Sequence, residues 1–337
     1  MKIFTFLTLF ISISLFANIN YKFFPANVKI FGYIAIKNIK NNKEIRELMD
    51  APKAKESLKS LMEMGIYLDN LGAISFFADT ESLKAKSKGN HAIILHGLNA
   101  QKLIEQKLKE VKNPKTETYK GYKIYLQIKN KNNQKKEEAA TIINNNTIIG
   151  SKEGVKKAID AYKGNYFKNP KIVKNALNKL NNPDFFVIDL VDKKQRDLFL
   201  SGAAQNQNPT MAMLNTQEVT KNLKILIFAG KLAKNKLHLY LALQSDKNSV
   251  KPFISNLNMQ FRNFKPMLAQ QINVYKSMVG NTGAKELNSI LNSVKIYTKN
   301  DFGIISLYIN LKRTIKALNE MNSKMKNSPM NNMPLQK

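Results

Sequence analysis

Residues Thr141–Asp160 read TIINNNTIIGSKEGVKKAID, and this one stretch contains both kinds of element that define the fold. Ala139–Ile143 and Thr147–Gly150 are short apolar runs, and Asn144–Asn146 between them has turn composition, so the segment predicts a hairpin. Ser151 follows at the position of a helix cap. Its hydroxyl can accept one of the free N–H groups of a first turn, and Glu153 complements the positive end of the helix. Val155 and Ile159 are four apart and share one helical face, so the helix runs to about Tyr162. A hairpin feeding an amphipathic helix points to the α+β class, with mostly antiparallel sheet and helices packed on one face.

The same grammar extends in both directions. Upstream, Val28–Ile36 follows Pro25 and alternates Val28, Ile30, Gly32, Ile34 and Ile36, which predicts a strand. Helical spacing follows in Lys43–Met49 and Lys53–Met62, then strands at Leu71–Ala78 and Asn90–His96, a helix at Asn99–Glu110 and a strand at Gly121–Ile128. Downstream come a helix at Ile172–Leu180, a strand at Phe185–Val191 and a helix around Lys194–Leu200. Ser201–Asn215 has loop composition, and Leu223–Leu232 with Leu237–Leu243 predicts a long hairpin turning at Lys234–Lys236. Val250, Phe253, Leu257, Phe261, Phe264, Leu268, Ile272, Tyr275 and Val279 form one helical stripe, which Pro266 either kinks or restarts. Leu287–Leu291 adds a short helix. Val294–Thr298 and Ile305–Leu311 predict a last hairpin, and Lys312–Met325 a weak helix.

Both halves run strand, helix, hairpin, helix, hairpin, helix, the pattern of an internal duplication. The expected organisation is a signal peptide at 1–17, a first α+β unit at 18–182, a related second unit at 183–326 and a disordered tail at 327–337. Met1–Ala17, MKIFTFLTLFISISLFA, has one basic residue, an apolar run too short to span a bilayer and a small residue at its end. It predicts export and cleavage after Ala17, hence a periplasmic chain with no transmembrane segment and no nucleic-acid partner.

The segments Phe24–Ile39 (FPANVKIFGYIAIKNI), Tyr119–Leu126 (YKGYKIYL), Thr141–Asp160 and Pro183–Leu190 (PDFFVIDL) resemble a loose class of exported bacterial α+β proteins of unknown function. Those proteins open on a strand led by proline, start a strand at Tyr–x–Gly and follow a Gly–Ser turn with a short helix. The resemblance implies an architecture and carries no functional residue with it.

Composition narrows the chemistry. The 337 residues include no Cys, which excludes disulfides, iron–sulfur clusters and thiolate zinc sites. Three His offer little for metal ligation or nucleophilic catalysis. His91 and His96 are five apart on one strand and so face opposite ways, and His238 lies opposite the row Leu237, Leu239, Leu241 and Leu243. Gly280-Asn-Thr-Gly283-Ala-Lys285 lacks the spacing of a phosphate-binding loop and reads as a turn between helices. Ser323-x-x-Lys326 sits at a fraying helix end, and Met211, Met213, Met330 and Met333 lack the clustering of a copper site. Asp189 shares strand parity with Val187, and either it or Asp192 is placed to cap the next helix. No catalytic, cofactor or metal residue is predicted.

The net charge of +30, from 54 basic and 24 acidic residues, points to an anionic partner, although Lys, Asn and Ile are all abundant and only four of the bases are Arg. The strongest binding signal is a row of aromatics on polar strand faces. Tyr240, Tyr297 and Tyr308 alternate out of phase with the apolar rows, and Lys236, Lys295 and Lys299 share their parity; Tyr125 and Lys123 do the same in the first half. The expectation is a non-enzymatic binding or scaffold protein of the cell envelope, engaging an anionic envelope component or an envelope protein. One alternative is a carrier of an apolar or lipid ligand lined by Phe253, Phe261 and Phe264. The other is a hydrolase, which scarce His and the lack of Cys disfavour.

Overall fold

A computed structural model describes residues 19–50, 67–79, 89–109, 115–131, 134–205 and 216–326. The expected signal peptide, the helix at Lys53–Met62, the four methionines and the tail at 327–337 lie outside these residues. The chain divides into two compact units. The first is Met1–Asn42, Met49–Asp192 and Ile225–Lys231, and the second is Lys43–Leu48, Lys193–Lys224 and Leu232–Lys337. The break expected before Pro183 therefore falls after Asp192, because the strand that follows Pro183 pairs directly with the first strand of the chain.

The first unit is built on β1 (Ile30–Ala35), β2 (Ala73–Ala78), β3 (His91–His96), β4 (Lys115–Tyr119), β5 (Tyr122–Lys131), β6 (Gln134–Ile143), β7 (Asn146–Ser151), β8 (Phe185–Leu190) and the start of β9 (Ile225–Ala233). Their order is β9-β8-β1-β2-β3-β7-β6-β5-β4, and every pairing is antiparallel. Helices α1 (Ile36–Ile39) and, after α2 (Lys43–Asp50), most of which belongs to the second unit, α3 (Gln101–Lys109), α4 (Lys152–Tyr162) and α5 (Pro170–Lys179) complete the first unit.

Register assigns one sheet face to the core. Phe31, Phe77, Ala92, Ile94, Ile148, Thr141, Ile124, Ile188 and Ile227 share it, and all are buried. Phe24 and Phe167 pack their rings on Phe31, at centroid distances of 5.1 and 5.5 Å. The opposite face is also apolar but only half-covered at Ile74, Phe76, Ile149 and Val187. Thus β1 has apolar residues on both sides, and all six are buried. The polar strand β4 escaped sequence reading because an edge of alternating Lys, Thr and Glu has no apolar row to count.

The junction of β7 and α4 follows the expected chemistry. Gly154 N–H donates to Ser151 Oγ at 3.1 Å, and Val155, Ala158 and Ile159 are buried. The glycines on either side of that cap are required by space. A Cβ on Gly150 would lie 2.2 Å from the carbonyl oxygen of His91, and one on Gly154 would lie 2.0 Å from it.

In the second unit, α6 (Lys193–Gln205) and α7 (Thr216–Lys221) precede β10 (Lys236–Gln244), α8 (Lys247–Val274), α9 (Lys276–Ser293), β11 (Lys295–Lys299), β12 (Phe302–Asn310) and α10 (Leu311–Lys326). The strands order β11-β12-β10, again antiparallel. Asp246 caps α8 by accepting the N–H groups of Asn248 and Ser249, and α8 runs unbroken through Pro266. The α+β assignment, with antiparallel sheet and packed helices, is what the structure has.

Candidate functional site

The six predicted binding residues do share one sheet face. Lys236 pairs with Asn310, two residues beyond Tyr308; Tyr240 pairs with Ser306, which also pairs with Lys295; Ala242 pairs with Ile304, which pairs with Tyr297; and Lys299 pairs with Phe302. The expectation that all three tyrosines are exposed is corrected. Tyr240 is only 5% exposed, because its neighbours on that face, Ala242, Phe302 and Ile304, are themselves core residues. Tyr297 and Tyr308 are half-buried, and Lys236, Lys295 and Lys299 are exposed around them. Burial, then the neighbouring Tyr240, pushes the Tyr297 hydroxyl above its ordinary pKa. Lys236 Nζ lies 5.2 Å from the Tyr308 ring centroid, and the His238 ring lies 5.9 Å from the same ring. The Leu row is less buried than expected: Leu237 is fully enclosed but Leu241 is 52% exposed.

In the first unit, Tyr125 is likewise buried, and its hydroxyl donates to Glu105 Oε1 at 3.1 Å while Lys123 Nζ stands 5.1 Å from its ring centroid. Nearby, Glu117 forms ion pairs with Lys152 at 2.8 Å and Lys156 at 3.1 Å, which hold its carboxyl below the usual range. These charges are satisfied within the chain.

His91 and His96 face opposite sides of β3, as their spacing requires. Ser75 Oγ lies 2.7 Å from His96 Nε2, with Ser75 buried, His96 half-buried and the Phe23 ring 5.8 Å from the imidazole. Among the described residues no group of three His, Asp or Glu could hold a metal. The expected turn at Gly280–Gly283 lies inside α9, with Gly280 at a break and Gly283 buried against α10. Phe253 lines an open cleft of about 480 Å³ with Glu218, Asp246, Asn248, Ser249, Pro252 and Asn256; of the three phenylalanines expected to line an apolar cavity, Phe253, Phe261 and Phe264, this cleft contains Phe253 alone.

The feature that sequence reading missed is the far half of α8 and the start of α9. Phe264, Met267, Val274, Tyr275 and Met278 are all exposed, Val274 to 70% and Met278 to 67%. At 100° per residue, the three of these on α8, Phe264, Met267 and Val274, fall within a sector of about 80°. From Lys247 to Lys285 the chain contains no Asp or Glu, while Lys247, Lys251, Arg262, Lys265, Lys276 and Lys285 supply positive charge. The signal was present in the sequence. The stripe from Val250 to Val279 gives the helix but not which part of it is covered: Val250 and Ile254 are buried, whereas Phe264 and Tyr275 in the same stretch are exposed.

No known protein family and no curated protein matches the chain. Among solved structures it is similar to three crystal forms of TP0453. Form III has a TM-score of 0.45 at 10% identity, covering 89% of this chain and 97% of that one. Form I has 0.44 at 10%, with 90% and 98% covered, and form IV has 0.43 at 9%, with 88% and 95% covered. No helix among the described residues is long and apolar enough to cross a membrane.

Proposed function

We propose that this is a non-enzymatic binding protein of the bacterial cell envelope, exported to the periplasm, which docks on an anionic lipid surface through α8 and the start of α9. One observation carries the reading. The acid-free stretch Lys247–Lys285 exposes Phe264, Met267, Val274, Tyr275 and Met278 among lysines. A basic helix with an apolar face binds the interface of an anionic bilayer by burying that face and pairing its cations with headgroups. Contiguous exposed apolar surface on a soluble unit marks an interaction site.

The test is sedimentation with vesicles of phosphatidylglycerol and phosphatidylcholine, set against phosphatidylcholine alone. The reading expects binding to the anionic vesicles, weakened by salt and abolished by combined Phe264→Ser, Met267→Ser and Met278→Ser. Absence of binding, or binding indifferent to those substitutions, overturns it. Capture of an envelope protein through the same residues, without vesicle binding, would assign the surface to a protein partner instead.

A second reading, a carrier of an apolar ligand, is favoured by the half-covered face of the first unit at Ile74, Phe76 and Ile149, with Ile93 37% exposed beside them. It expects lipid to copurify in stoichiometric amount by mass spectrometry, and a lipid-free preparation from its native compartment rejects it.

A further inference from the structure

The limb that carries the exposed apolar residues is broken twice near its end. α8 stops at Tyr275, whose φ of −79° and ψ of 3° leave the helical region. The next turn, Lys276–Val279, ends at Gly280, which takes φ 78° and ψ 169° inside α9. That conformation is open to glycine and strained for other residues. The space beside it is filled by a side chain from α10. A Cβ on Gly280 would lie 2.6 Å from Glu320 Oε1 and 2.8 Å from its Cδ. The helical segment after the break begins with N–H groups that have no carbonyl one turn back, and they carry the positive end of its dipole. One turn further, Gly283 allows α9 to approach Ala317 of α10, with 3.9 Å between the two Cβ positions. At the other end of the same pair, Glu286 of α9 accepts the N–H of Asn310, the residue before α10, at 2.9 Å. Glu320 of α10 thus stands where α9 restarts after Gly280, and Glu286 of α9 stands at the start of α10.

We propose that Glu320 is a clasp. Its carboxylate, seated at the Gly280 break, fixes the direction of the Lys276–Val279 turn and of the end of α8, so that the exposed Val274, Tyr275 and Met278 project from a held limb. Removing the charge frees the limb without opening the sheet beneath it. This rests on the reading of the limb as a docking surface, but it concerns how the limb is held.

Hydrogen exchange on the full chain, without vesicles, tests it in wild type and Glu320→Gln. The variant keeps the shape of the side chain and removes its charge. The expected result is exchange at residues 276–284 faster by about fivefold or more, the scale of a carboxylate lost from a helix start, with β10 and β12 unchanged. Gly280→Ala, which puts a methyl where the carboxylate lies, reproduces the same local pattern. Wild-type exchange at 276–284 in Glu320→Gln overturns the clasp, and so does an increase shared equally by the strands. If wild type binds no vesicles, the docking surface falls while the exchange result still decides the clasp.

Discussion

Ser75 Oγ and His96 Nε2 lie 2.7 Å apart on adjacent strands, on the face that forms the core of the first unit. Burial pushes the His96 pKa down to about 4, against a hydrogen bond from the ring to Asn146 that raises it. An unfolded chain takes up this proton near pH 6.5. Between about pH 6.5 and about 4 the unfolded state therefore binds more protons than the folded state, and stability falls as pH falls through that window; above it the group contributes nothing. The half-buried ring is partly screened by solvent, so the loss should be about 1–2 kcal/mol. Urea unfolding at pH 7 and pH 4.5 should show a steeper loss in wild type than in His96→Gln, and equal slopes would reject the assignment.

The cap on α4 gives a second measurement. Ser151→Ala removes the acceptor of the Gly154 N–H and should cost about 1 kcal/mol. Gly154→Ala should cost more, about 1–3 kcal/mol, because its methyl would have to displace the carbonyl of His91. Thermal unfolding that ranked the serine change as the more damaging would mean that α4 does not press on β3 as described.

Much of this architecture could be read from the sequence, and the reasons are local. Asn144, Ser151 and Asn300 declared two turns and a cap through their own backbone and hydroxyl chemistry, and β6, β7, β11, β12 and α4 followed. What sequence could not give was which side of a strand faces inward when both sides carry apolar groups. Leu237, Leu239, Leu241 and Leu243 outvote Tyr240 and Ala242 on hydropathy, yet the buried partners Phe302 and Ile304 lie on the tyrosine side and take Tyr240 into the core. Parity put the six candidate residues on one face; only packing decided how far that face is open. Packing hid the limb as well, because an apolar stripe along one helix face looks the same in sequence whether its neighbours cover it or leave it open.

That reversal on β10 is directly testable. Leu237→Ala should cost about 2–5 kcal/mol, and Leu241→Ala, more than half exposed, should cost within about 0.5 kcal/mol. Tyr240→Ala should fall with Leu237, at about 3–5 kcal/mol. Denaturation curves that placed Leu241 above Tyr240 would invert the strand.

Glu286 is buried, and one of its oxygens accepts the Asn310 N–H at 2.9 Å. Glu286→Ala leaves that N–H without its acceptor and should cost about 1–3 kcal/mol. Glu286→Gln keeps an acceptor at the same position and should cost less than half as much. If both variants lose equally, the charge at the start of α10 matters rather than the hydrogen bond, which guanidinium titration of the pair would reveal.

The docking limb should separate into two kinetic contributions. Its lysines act at a distance and over a Debye length of about 8–10 Å, so Lys265→Gln with Lys276→Gln should slow association with anionic vesicles and flatten its salt dependence. Its apolar side chains act only on contact, so Met267→Ser with Met278→Ser should leave the initial association rate nearly unchanged and speed dissociation. Both residues are exposed in the free protein, Met278 to 67%, so neither change should move the melting temperature appreciably. Stopped-flow binding at two salt concentrations reads both effects. If the serine pair alters only association, or the glutamine pair only dissociation, the apolar face does not enter the surface, and the charges alone hold the protein there.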